Sequence, residues 1–276
     1  MAGQRLSQRR GKSDPDGPYE GVPAHLAHGL QYWFEGLAGY RSTQGMDEGR
    51  LRELAVLLRA RIEPGVGGVD LMRSLLRFAA KSDDDFLDLV DGALQVWASK
   101  SRAQSLSRVL AAGGSIWTVA DDGLSLELAV SDQVQATFVS ASSQSDEASI
   151  ELREAWSNAF GRNGDPSDAW GHAIKALEDL LIPVVVPQQT KPTLGHVVGQ
   201  LRRQGLSWEF VLPGKDGNYD VDPLVGMLEL VWPNHDRHGG SGDKQRPSQQ
   251  EARAVTTLAA TILQWHREGW VVRPRV

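Results

Sequence analysis

Cysteine is absent from the chain. Disulfides, thiolate zinc sites and a cysteine nucleophile are therefore excluded, and the absence fits a reducing compartment. No window approaches the roughly 18 uninterrupted apolar residues of a membrane span, so no membrane partner is expected. The basic residues Arg5, Arg9, Arg10 and Lys12 are followed by no apolar stretch, unlike a secretory signal. The expected location is the cytoplasm. An excess of positive charge is missing too. A net charge of −6 over 276 residues argues against a general electrostatic binder of nucleic acid, while leaving room for a local basic groove. The run Gly239-Gly240-Ser241-Gly242 lacks the Lys-Ser/Thr ending and the preceding strand of a phosphate loop.

What is present points to helices. Residues 1–17 are polar and read as a disordered tail. Pro23 opens a first helix with Leu26, Leu30, Trp33, Phe34 and Leu37 on one face. A second is expected from about Asp47 to Glu63, and two more over Val69–Ala80 and Asp84–Ser99, with Asp83, Asp84 and Asp85 at a helix N-terminus. A short helix ends at Gly113-Gly114. Ile116 to Leu128 then alternates around an Asp-Gly turn as a β-hairpin, and Val130, Val134, Phe138 and Ala141 continue as a connecting helix. Further helices follow over Asp146–Phe160, from an Asp165-Pro166 start to a stop at Pro183, and over Thr193–Arg203. Val184 to Pro187 and Trp208 to Asp220 are expected as extended chain and loop. Asp222–Leu230 and Gln249–Glu268 complete the set. The expectation is a mainly α protein: a helical N-terminal module over 18–112, a β-hairpin and connecting helix over 113–145, and a C-terminal helical bundle over 146–276. Most of the nine tryptophans are expected between helices.

Four pieces in order carry a resemblance. They are the helix Asp165 to Glu178, the segment Pro192-Thr193-Leu194-Gly195-His196-Val197-Val198, the apolar helix running into Pro233-Asn234-His235-Asp236-Arg237-His238-Gly239, and Glu251 to Val255 leading into Leu258–Leu263. Together they resemble the abortive-infection C-terminal domain family over a little under half the chain. The resemblance implies a HEPN-like helical bundle, a class linked to antiphage defence and RNA-cleaving toxins. It also implies a homodimer with a composite site.

In RNA-cleaving HEPN proteins an Arg precedes a His by about four to six residues, often with Asn directly after the Arg. A His can shuttle a proton at the ribose 2′-hydroxyl while Arg clamps the phosphate. The resemblance therefore assigns His238 as acid/base, with Arg237 and Asn234 positioning the phosphate, and needs neither metal nor cofactor. The usual Arg position holds Pro233, or Trp232 by the longer count, so a catalytically silent module binding RNA or a protein partner stands beside the ribonuclease. His235 and His238 flank Asp236 at metal-ligand spacing, but the sequence offers no third ligand. Lys175 and Glu178, one turn apart, are expected as an intrahelical ion pair, or Glu178 as a group orienting Arg237. Arg202, Arg203 and Arg253 are the candidate contacts for an RNA backbone. His25, His28, His172, His196 and His266 have no recognisable partner set, and the N-terminal module is the place for a protein partner.

Overall fold

The computed structural model describes residues 10, 18–40, 42–43, 45–214, 217–232 and 246–275. They form a mainly helical protein with two small antiparallel strand pairs. The chain divides into two compact units, residues 1–129 and 130–276. The boundary falls between the hairpin and the connecting helix. Among the described residues no helix is long and apolar enough to cross a membrane.

The first unit holds α1 (Ala24–Leu37), α2 (Glu48–Leu57), α3 (Gly68–Ala79), α4 (Asp83–Trp97), α5 (Lys100–Ala112), β1 (Trp117–Val119) and β2 (Leu126–Leu128). Its core is aliphatic around Phe34, Trp33 and Trp97, with Leu30, Leu51, Leu75, Leu89 and Leu106 fully buried. α2 stops earlier than its apolar stripe suggests. Arg59 takes a left-handed conformation (φ 52°), and the Ala60 amide returns to the Ala55 carbonyl. That pair of features is a Schellman-type end, which satisfies a terminal carbonyl whatever the periodicity beyond it. The acidic trio behaves as the sequence suggested: Ser82 accepts from the Asp85 amide, and the three carboxylates line the first turn of α4. A two-stranded hairpin is marginal alone. Here it is anchored by Asp91 of α4, which is 5% exposed and accepts the Leu126 amide at 2.6 Å.

The second unit contains α6 (Asp132–Ala141), α7 (Glu147–Phe160), α8 (Pro166–Val185), α9 (Leu194–Arg203), β3 (Trp208–Phe210), α10 (Asp222–Val231), α11 (Gln249–Arg267) and β4 (Val272–Pro274). α8 is the axis of this unit, since α7, α9 and α11 all pack on it, while α10 lies on α9. It starts as read from the sequence: Asp165 accepts the Ser167 and Asp168 amides, and Pro166 fills the first turn. It does not stop at Pro183. The helix runs on to Val185, although an internal proline costs about 3 kcal/mol. Leu180, Leu181 and Val185 are buried on either side of it. At about 1.5–3 kcal/mol for each fully buried aliphatic side chain, their packing outweighs the break.

The loop expected over Trp208–Asp220 also needs correction, because one strand of a second pair lies in it. β3 pairs with β4 in the register Trp208↔Pro274, Glu209↔Arg273, Phe210↔Val272. Phe210 and Val272 are each 1% exposed, and Arg273 binds Glu209 across the pair at 2.9 Å.

Candidate functional site

The segment singled out in the sequence begins where α10 ends. Asn234, Arg237, His238 and the Pro233 and His235 beside them lie outside the described residues; the residues on either side of the segment are described. At the outgoing root, Trp232 closes α10 with its amide on the Leu228 carbonyl, and the Trp170 indole N–H of α8 donates to the Val231 carbonyl at 2.7 Å. The Trp232 indole lies against Gly195 in the first turn of α9. A Cβ at that position would come within 2.9 Å of the ring, tighter than a methyl group tolerates. Glycine there is the condition for this packing.

At the returning root, Ser248 and Glu251 form a reciprocal cap on α11. The Gln249 amide and the Arg253 guanidinium then reach the Ala159 carbonyl, at 2.6 and 3.1 Å. Those donors meet the C-terminal end of α7, where unpaired carbonyls and the helix dipole favour them.

The other sequence candidates divide among different tasks. Glu178 accepts the Leu194 amide at 2.9 Å, placing a carboxylate on the positive end of α9. Lys175 instead lies 3.6 Å from Glu151 of α7. The intrahelical Lys175–Glu178 pair is thus replaced by partners on two other helices. The contact expected between Glu178 and Arg237 involves a residue outside the described ones. Arg202 pairs with Glu229 of α10, Arg203 reaches Gln200 on its own helix at 3.5 Å, and Arg253 serves α7. The three arginines have three different partners, and two of them tie helices together.

The sequence shows no partner for His172. The fold supplies one: its Nδ1 lies 2.5 Å from Glu151, which also faces Lys175. The partner sits on another helix, 21 residues earlier, so spacing within α8 gives no sign of it. The ordering of His172, Lys175 and Asp179 at i, i+3 and i+7 on one face is the only sequence trace. Close by, Arg267 near the end of α11 binds Asp146, with Gln144 at 2.7 Å and Ser149 at 3.3 Å. Burial pushes the Asp146 carboxyl up, but the Ser149 and Arg267 contacts outweigh it and hold it below the usual range.

Asp179 is pushed the other way. Desolvation beside α7 comes first, then repulsion from Glu151, Glu147, Glu178 and Asp146. Asp179 is exposed overall, so the desolvation is partial, and the four carboxylates press in the same direction. A carboxyl with a raised pKa in the fold destabilises it once ionised, and the penalty is relieved as pH falls through that pKa. Asp179→Asn is therefore expected to raise the thermal midpoint near neutral pH, with the gain shrinking on acidification; a gain that is constant down to pH 3 would show that charge is not its cause.

Chemically, the α7–α8 face is a clamp of one histidine, one lysine and several carboxylates. Among the described residues no group of three His, Cys, Asp or Glu side chains is placed to hold a metal ion. No family model, curated protein or solved structure matches the chain.

Proposed function

We propose that the second unit is a HEPN-like bundle of the abortive-infection C-terminal type that binds RNA and does not cut it, serving antiphage defence in the cytoplasm. The segment between α10 and α11 is its contact surface, and two copies pair through this unit. The first unit then receives a protein partner.

One observation carries the non-cutting reading. By the longer count, the position of the motif's phosphate-clamping Arg is Trp232, whose indole is packed on Gly195 as part of the bundle. By the shorter count it is Pro233, which has no donor at all. Arg202 and Arg253 are engaged in holding helices together, so neither stands in for the missing Arg. The order of α8, α9, α10 and α11, all joined through α8 and α9, supports the bundle itself.

The ribonuclease remains the competing reading, through Asn234, Arg237 and His238. An RNA panel incubated with wild type, His238→Ala and Pro233→Arg separates the two. The silent module retards RNA with wild type and His238→Ala alike, more weakly at high salt, and only Pro233→Arg gains cleavage. Cleavage by wild type that His238→Ala abolishes and EDTA leaves intact would put the ribonuclease in its place, with His238 as the proton shuttle. Light scattering of the same samples is expected to give a dimer, and a monomer at micromolar concentration would remove the pairing.

A further inference from the structure

The first unit contains a cleft of about 700 Å³ between α1 and α3, lined by Gln31, Val66, Asp70, Arg73, Ser74, Leu76, Arg77 and Ala80. Its size falls in the range that holds a small organic ligand. Val66 and Leu76 are half-buried and packed against the core beneath, giving the cleft an apolar floor. The polar groups above it come from one face of α3. Arg73 and Arg77 are four residues apart, about 6 Å along the helix axis, and both are exposed.

The two guanidiniums are weakly committed. Arg73 touches Asp70 at 3.4 Å, in a pair whose side chains are 62% and 75% exposed, so water largely screens it. Arg77 donates to the Ser74 hydroxyl at 2.9 Å, and Ser74 in turn donates to the Asp70 carbonyl at 2.8 Å. A neutral hydroxyl leaves the Arg77 charge uncompensated, and among the described residues it has no carboxylate partner. Ser74 fixes the direction of the fork while the remaining N–H groups stay available. On the opposite wall Gln31 donates its amide to Glu35 at 2.8 Å, which leaves the amide oxygen as an acceptor. Asp70, the acidic residue of the lining, and Glu35 beside Gln31 are each already turned toward a donor.

We propose that this cleft is a binding site for a nucleoside phosphate. The planar forks suit a phosphate bidentately and stack on a flat aromatic base. The apolar floor covers the other face of the base, and the Gln31 oxygen accepts from an exocyclic amino group. This site belongs to the first unit and does not rest on the RNA-binding reading of the second.

Titration calorimetry of the full chain with each of the four nucleoside 5′-monophosphates, the four nucleosides and inorganic phosphate tests it. At least one nucleotide should bind saturably, and its nucleoside and phosphate alone at least tenfold more weakly. Arg77→Glu should weaken the nucleotide at least tenfold and Arg77→Lys less, because Lys keeps the charge and loses the fork. Arg50→Glu, an equal charge change outside the cleft lining, should leave it unaltered. Arg77 is exposed, and an unchanged circular dichroism spectrum and melting midpoint will show that the variant folds. A 5′-phosphorylated oligoribonucleotide compared with its 5′-hydroxyl form identifies the source: a gain from the 5′-phosphate that Arg77→Glu removes points to an RNA end, and no such gain points to a free nucleotide. Retention of 5′-hydroxyl RNA by the second unit should be the same in Arg77→Glu and wild type. No binding of any nucleotide, equal affinity in Arg77→Glu, or inorganic phosphate binding as tightly as the nucleotides would each overturn the site.

Discussion

Leu177→Ala lowers the stability of the second unit by about 2–5 kcal/mol, the cost of emptying a leucine-sized space in a packed core. Leu177 is fully buried on α8, on the helix against which α7, α9 and α11 all pack. The first unit has its own core around Phe34 and Leu51. Trp33, Trp97 and Trp117 lie in the first unit and the other tryptophans in the second, so fluorescence in urea reports mainly the second. Trp156, stacked between Phe138 and Phe160 with ring centroids 4.1 Å apart on either side, is part of that signal. The expected result is a fluorescence midpoint shifted to lower urea. An unshifted midpoint would show that α8 is not the axis described.

Asp91→Ala is the corresponding change in the first unit. Asp91 is nearly buried, receives the Leu126 amide on one oxygen and the Gln95 side chain on the other. Alanine leaves the amide of a fully buried residue without its acceptor, which costs about 1–3 kcal/mol. The loss falls on a hairpin with three paired positions, too few to hold without its anchor. Hydrogen exchange should accelerate at Leu126 and at the Trp117–Val119 amides first. Asp91→Asn keeps an oxygen for Leu126 and should exchange much more slowly than Asp91→Ala. Identical exchange in the two variants would mean that packing alone retains the hairpin.

How far the sequence could be read depended on how local each cause was. The start of α8 was legible because its cap lies within four residues, Asp165 to Asp168. The hairpin was legible because its turn and both strands lie together. Pro183 misled because the forces that carry the helix past it come from the burial of Leu180, Leu181 and Val185 against other helices. β3 and β4 were missed since three residues are too few to establish a period of two, and the partner of Phe210 is Val272. At the candidate site, spacing makes Lys175 and Glu178 each other's partner, or sets Glu178 toward Arg237, which lies outside the described residues. The fold gives one to Glu151 and the other to the Leu194 amide. Gly195 carried no sequence signal of its role, because only the approach of Trp232 explains why a side chain is excluded there.

The two strand pairs differ in one respect that sets when each comes into being. β1 and β2 close across residues 120–125, whereas β3 and β4 close across residues 211–271, with α10 and α11 inside the loop. Local hairpins form in about 1–10 μs, and pairings between distant segments must first overcome the entropy of bringing the ends together. The first pair is thus an early event in the folding of its unit. The second is expected to form only once the chain through α11 is in place, so protection of the Val211 amide, which donates to the Val271 carbonyl, should appear later than protection of the β1–β2 amides; simultaneous protection would overturn that order.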